Sequence, residues 1–480
     1  MGVEPPRVDP RAVSIGIVHL GIGAFHRAHQ AVFTEDAAAA TGETRWGILG
    51  VTGRSDAVVR QLVPQDGLFG VLTKGIESTE LRLLGSVADV AWPGSRTADI
   101  VRALAAPTTH VVTLTMTEKG YMRASGGGIN ATDADVAWDL ALADRVLAGE
   151  HVSQSSRTLI GLLVRGLVHR FVTSRAPVTV MSCDNLAHNG EVTRAVVVSA
   201  LSTLSDPAAL LAWLDDNVAF PSTMVDRITP ATTAADHTVA ESLLGLRDEG
   251  LVVAEPFRQW VIEDSFVSDR PRWELAGATL TSDVRPYENV KLRILNCTHS
   301  LLAYLGALMG YATIAEAVGD SRLRDAARRM ITEDVLPTLT APAGINLEEY
   351  RDSTLDRFAN PSLAHTTAQV AMDGSQKLPQ RLFPTIGDRL AMGAVPVHLA
   401  LLTAAWITYV AETASLADPL ANQLRAAVPS RQALYADPIG SVRSILAVES
   451  VCPQAVRGSA QFCDAVVSEL ETVRVLAGLN

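Results

Sequence analysis

Cysteine is scarce: 480 residues carry only Cys183, Cys297, Cys452 and Cys463, none at the close spacings of a zinc site or a disulfide scaffold. Reduced, structural thiols are therefore expected, and zinc chemistry is not. Basic charge is also short, with a net charge of −12, which argues against nucleic acid and anionic membrane surfaces as partners. No window approaches the apolar run of about 18 residues that a membrane span needs. The opening residues lack a basic-then-apolar leader pattern, holding Pro5, Pro6 and several charges instead. Internal repeats and long low-complexity tracts are missing too. These absences leave a cytoplasmic globular protein, monomeric or a small homo-oligomer, as the expectation.

The chain does have material for two hydrophobic cores, at 48% apolar residues over a length that one core rarely serves. Short β-branched runs alternate with helical patterns in the first half. Ser14–Leu20, Trp46–Val51, His110–Met116 and Val178–Cys183 read as strands, with helices over Ala134–Leu147 and Arg157–Ser174. Near Pro286 the pattern changes to long helix-period stretches: Glu288–Met309, Ser321–Asp334, Val397–Thr413 and Gln461–Leu476. The expectation is an α/β protein: a doubly wound, mostly parallel sheet over residues 1–285, then a mainly α-helical domain over 286–480.

Two stretches carry chemistry. Gly21-Ile22-Gly23-Ala24-Phe25-His26 follows the first strand and precedes a helix. Its two glycines would let the backbone approach a pyrophosphate. His26 stands where a third glycine is usual, so the turn alone equally fits a tight strand-to-helix connection. Asp56, beyond the second strand, could accept from ribose hydroxyls and so favour NAD over NADP; Arg54 pulls the other way. In the second stretch, Lys291, Asn296 and His299 share one half of an α-helix surface, and a solvated amphipathic helix would also present them so. Together they could bind and deprotonate an alcohol without a metal.

Several blocks resemble the polyol-specific long-chain dehydrogenases, the mannitol dehydrogenase family: Ile17–Gln30, Ser182–Leu186, Phe220–Pro230, Glu255–Asp264 and Lys291–His299. The resemblance runs from about residue 14 to past residue 450. It implies a Rossmann-type NAD(P) domain, a helical domain, and interconversion of a secondary alcohol and a ketone on a polyol, ketose or ketouronate. The family's catalytic lysine falls on Lys291, its oxyanion asparagines on Asn185 and Asn296, and its substrate-orienting histidine on His299. Asp226 matches a family aspartate near the substrate.

Within the family, Thr117–Tyr121, Lys74–Leu81 and Ala371–Arg381 look more like the aldonate branch than the neutral-polyol branch. Gln369 stands where mannitol enzymes carry a substrate-contacting arginine. Lys119, Lys377 and Arg381 are the candidates to meet a substrate carboxylate, although each could be a surface or packing charge. Fructuronate to D-mannonate is thus the first reading, with mannitol–fructose interconversion or oxidation of a polyol such as arabinitol as alternatives. A non-catalytic Rossmann sensor would need a site without a proton acceptor, and Lys291 with both asparagines counts against it.

Overall fold

A computed structural model describes residues 2–363 and 365–479, and the chain divides into two compact units at Val284/Arg285. The first unit is built on six strands: β1 (Ile15–Leu20), β2 (Gly47–Val51), β3 (Val87–Ala91), β4 (Val111–Leu114), β5 (Val178–Ser182) and β6 (Val218–Ala219). They run in the order 3-2-1-4-5-6 and every adjacent pair is parallel. This is the Rossmann arrangement. Both faces of the sheet are covered, which is why β1, β2, β4 and β5 are almost wholly buried and read as continuous apolar runs.

Local chemistry sets the helix limits. The Asp133 carboxylate accepts from the amides of Asp135 and Val136 and opens the helix Ala134–Leu147. The Thr158 hydroxyl accepts from Gly161 N and opens Leu159–Val172. At the end of that second helix, fully buried Arg170 donates to the carbonyls of Leu104, Ala106, Thr109, Ala176 and Pro177. One guanidinium thus satisfies five carbonyls that would otherwise be orphaned in the core.

The parallel sheet is not the whole of this unit. A four-stranded sheet pairs Phe69–Lys74 antiparallel with Thr79–Leu84, flanked by Val252–Ala254 and Val3–Glu4. A three-stranded sheet joins Thr223–Asp226, Gln259–Glu263 and Thr279–Thr281. Neither was foreseen.

The second unit is helical. Arg285–Val290, Lys291–Asn296 and Cys297–Leu308 form one continuous helix whose middle segment is π-helical rather than α-helical. Cys297 N reaches back five residues to Leu292 O across that segment. Val397–Glu412, apolar on nearly all sides, lies in the core beside Ala460–Leu476 and Cys297–Leu308. Gly306 permits another close approach: a Cβ there would meet Ala317 Cβ at 2.8 Å and Thr367 Cγ2 at 3.1 Å. The short helix Thr367–Ala371 therefore packs directly on the Cys297–Leu308 segment.

Candidate active site

In the first unit a cavity of about 760 Å³ opens at the carboxyl ends of the strands. Gly21 and Gly23 after β1, Thr52 to Ser55 after β2, Trp92 after β3, and Thr115 after β4 contribute its wall. That is where open α/β sheets place their ligands.

The two glycines differ in what demands them. Gly21 has φ +104°, and a Cβ there would lie 2.2 Å from the Thr115 carbonyl oxygen, so the fold itself requires glycine. A Cβ on Gly23 would meet nothing nearer than Gly21 O at 3.7 Å. Protein packing does not explain Gly23. A bare backbone there leaves room for a ligand, and the cavity is of a size that suits a small-molecule cofactor.

Ala24, Phe25, His26 and Asp56, expected to hold the cofactor, are not on this wall. Ala24 begins the short helix Ala24–Ala28, and Phe25 stacks on His29 at 5.1 Å. His26 is fully buried and stacks on His19 of β1 at 3.4 Å, filling the space between helix and strand that a third glycine would have closed. Burial holds the His26 ring well below the usual imidazole range, so it is neutral. Asp56 receives the Arg60 guanidinium instead, while Arg54 is on the wall. Lys119, exposed, also lines this cavity.

Asn185 follows β5 and is exposed at its carboxyl end. Its neighbour Asp184 is buried and accepts from the amides of Met116 (3.0 Å) and Thr117 (2.8 Å) and from the Tyr121 hydroxyl (2.8 Å). This carboxylate joins the Asn185 loop to the loop that carries Lys119. Asp226 ends its strand opposite Gln259 and is buried. Arg227 donates to the Glu255 and Ala28 carbonyls, and in the second unit Arg293 pairs with Asp388 at 2.6 Å.

Lys291, Asn296 and His299 lie in the second unit, all at least nine-tenths buried. The π turn changes their relation from the one an α-helix would give. With i→i+5 bonding, Asn296 sits almost directly one turn beyond Lys291 instead of well around the helix. Among the described residues, three buried polar atoms on this stretch have no hydrogen-bond partner: Asn296 Nδ2, Thr298 Oγ1 and His299 Nε2. Buried polar atoms are normally satisfied, so Asn296 Nδ2 and His299 Nε2, on adjacent turns, are left able to bond a group from outside the protein.

The His299 ring stacks on Phe358 at 4.7 Å and tilts against His365 at 5.0 Å. Burial, then His365, Arg381, Lys377 and Arg357, drive it well below the usual imidazole range. Lys377 donates to Val370 O at 3.0 Å, and burial followed by Arg381 lowers its amine to about 8. The structure thus groups His299, Lys377 and Arg381, and leaves Lys119 in the other unit. Sequence reasoning missed Phe358 and His365, although His365 stands four residues before Gln369. Among the described residues no group of three or more His, Cys, Asp or Glu is placed to hold a metal ion, and no helix is long and apolar enough to cross a membrane.

These features define a class: a Rossmann oxidoreductase acting on CH–OH groups. The mannitol dehydrogenase Rossmann domain matches residues 15–275, and the mannitol dehydrogenase C-terminal domain matches residues 283–474. D-mannonate oxidoreductase of Escherichia coli (strain K12) is 42% identical over 412 residues, covering 85% of this chain and 82% of the relative. The ternary complex of Pseudomonas fluorescens mannitol 2-dehydrogenase with NAD and D-mannitol superposes with TM-score 0.84 at 34% identity, over 99% of this chain and 96% of that one. A substrate-free D-sorbitol dehydrogenase gives 0.86 at 28% identity, over 100% and 98%. The chain belongs to the mannitol dehydrogenase family.

Proposed function

We propose that this chain is an NAD-dependent oxidoreductase that interconverts fructuronate and D-mannonate. The observation that carries the reading is the pair of buried, unbonded atoms Asn296 Nδ2 and His299 Nε2 beside Lys291 and two basic side chains, Lys377 and Arg381. Its likeness to a D-mannonate oxidoreductase at 42% identity supports the acid substrate.

Gly21, Gly23 and the Thr52–Ser55 wall would hold NAD, whose nicotinamide would supply the hydride acceptor. Lys291 takes the hydroxyl proton during oxidation and returns it during reduction, which requires its amine to lose a proton near working pH. Asn296 donates its amide N–H to the substrate oxygen as that oxygen gains negative charge, and Asn185 is assigned the same work. One such donor contributes about 3 kcal/mol in the transition state. Carboxamides suit this because they donate without titrating. His299, held neutral, contacts a neighbouring hydroxyl and fixes which carbon reacts. Asp226 is assigned to orienting the substrate or a site residue, since Lys291 already serves as base.

The test is NADH oxidation by the purified protein with fructuronate, tagaturonate and fructose in parallel. Turnover of fructuronate above the other two is the expected result. A signal with fructose alone would favour the mannitol reading, which the likeness to a mannitol 2-dehydrogenase at 34% identity keeps in view. No turnover with any of the three would remove the proposal.

A further inference from the structure

The cationic group around His299 contains a member that neither the motif reading nor the proposed chemistry uses. His365 is held by its own backbone: Ile314 N donates to His365 O at 2.9 Å, Thr313 and Thr366 form an isolated antiparallel bridge, and Thr367 N donates to Ala312 O at 3.0 Å. Immediately after it, Thr366 caps the helix Thr367–Ala371, which packs against the helix bearing His299. The backbone that carries the ring is therefore tied to the Ala312–Ile314 segment. It tilts against the His299 ring at 5.0 Å, and no side-chain hydrogen bond or ion pair occupies it among the described residues.

The surroundings of this ring are basic. Lys377 lies near enough to lower its proton affinity further after burial has done so. Lys377 spends one ammonium N–H on Val370 O. Arg381 has no hydrogen bond or ion pair among the described residues, and burial lowers its affinity for a proton. The acids that oppose Lys377 are Asp373 and Asp418. Asp418 is itself engaged by Ser375 N at 2.8 Å, Ser375 Oγ at 2.5 Å and Leu420 N at 2.8 Å. An under-neutralised amine and guanidinium next to an unbonded imidazole make an unfavourable arrangement when empty. An arriving carboxylate relieves it.

We propose that His365 is a specificity-determining residue: its imidazole, with the Lys377 amine and the Arg381 guanidinium, receives the carboxylate of a sugar acid whose neighbouring hydroxyl meets His299. This inference deepens the reading of the substrate as a ketouronate or aldonate, and it rests on that reading for the identity of the acid. His365 supplies one N–H donor and selectivity, not proton transfer at the reacting carbon. Its loss falls on the binding of acids and spares neutral polyols.

The experiment pairs calorimetric titration of D-mannonate and of D-mannitol into the NAD-loaded protein with fructuronate kinetics, for wild type, His365→Ala and His365→Gln. The expected result is a roughly tenfold weaker Kd for D-mannonate and a similar rise in KM for fructuronate in the alanine variant, the worth of one charge-assisted hydrogen bond. Its kcat should stay within about twofold and D-mannitol binding should be unchanged, while glutamine, which keeps an N–H donor, restores part of the loss. Equal weakening of D-mannonate and D-mannitol would mean a packing role and overturn the proposal, as would no change with either. The two readings separate cleanly. If fructuronate turns over and the alanine variant binds D-mannonate normally, the subsite falls while the activity stands. If D-mannonate binding depends on His365 yet fructuronate is not reduced, the subsite stands and the activity falls.

Discussion

The Tyr121 hydroxyl donates to the Asp184 carboxylate at 2.8 Å, inside the Rossmann unit and out of reach of solvent. Burial raises the Asp184 pKa, and the bonds from Met116 N, Tyr121 and Thr117 N work against that rise. The bonds that favour the charged form of this carboxylate also fix a strained loop. Thr117 and Met122, which flank Glu118–Tyr121, both have positive φ, at 66° and 49°. Tyr121→Phe removes one donor and leaves the amides in place, so it should destabilise the protein by about 1–2 kcal/mol. Asp184→Ala removes the acceptor of the buried Met116 amide, the Tyr121 hydroxyl and the Thr117 amide and should cost more, roughly 3 kcal/mol, with a several-fold rise in KM for NADH because Lys119 and Met122 line the cavity. Denaturant titration and NADH kinetics read both effects. A Tyr121→Phe variant as unstable as Asp184→Ala would contradict this division of work.

Lys291→Ala should lower kcat by about 10³-fold, within the range of a lost general base, while the Kd for NADH stays within about twofold. Stopped-flow turnover and fluorescence titration separate the two. Wild-type turnover from neutral to alkaline pH would show that another group takes the proton.

Asn296→Ala should lower kcat about 10²-fold, the effect of one oxyanion donor at about 3 kcal/mol. Stability should change little or improve, because Asn296 Nδ2 is buried without a partner and its removal relieves an unsatisfied group. A donor whose loss slows the reaction yet leaves the melting temperature unchanged or higher is serving the substrate. A large drop in melting temperature with unaltered kcat would assign Asn296 to the fold instead.

What could be read in the sequence followed from how local the signal was. β1, β2, β4 and β5 announced themselves because strands buried on both faces need unbroken β-branched runs. The helix Ala134–Leu147 was found to the residue from its helical pattern, and the structure shows Asp133 capping its start. The sheet around Gln259–Glu263 was not, because pairing there depends on partners distant in sequence, and the hairpin Phe69–Leu84 was missed although its two strands are neighbours in the chain. At the site, periodicity put Lys291, Asn296 and His299 on one helix but assumed α geometry; a single π segment changes which of them align. Asp56 was chosen by its order after the second strand; the structure adds an exposed ion pair with Arg60, one turn on. His365 carried no motif at all. It becomes visible only when the chain folds back against His299.

Cofactor choice turns on the two charges that follow the second strand, Arg54 and Asp56. Arg54 lines the cavity and Asp56 does not, so the charge nearest the wall does little to repel a 2′-phosphate. NADH should be the better cofactor, with NADPH also used. Arg54→Ala should widen the NADH:NADPH ratio of kcat/KM about fivefold, the value of roughly 1 kcal/mol for one exposed charge pair. Asp56→Ala should move it less than about twofold. A collapse of the preference in the Asp56 variant would restore that residue to the ribose.

Recognition of an acid substrate should depend on pH through Lys377. Burial first, then Arg381, lowers its amine to about 8, while Asp373 and Asp418 pull the other way. Below that value the side chain is an ammonium and can pair with a carboxylate; as pH rises through it, the charge and the attraction are lost. The KM for fructuronate should therefore be flat at neutral pH and climb about tenfold towards pH ~9.5, the loss of one partly buried charge-assisted contact. The KM for fructose, which has no carboxylate, should not follow it, and this separates Lys377 from any titration of Lys291. Stability moves in the opposite sense. An unfolded lysine titrates at 10.5, so between about 8 and 10.5 the unfolded chain binds more protons and this group makes the fold more stable as pH rises. Lys377→Arg keeps its charge throughout and should flatten the fructuronate profile. If the profile keeps its climb in the arginine variant, the titrating group lies elsewhere.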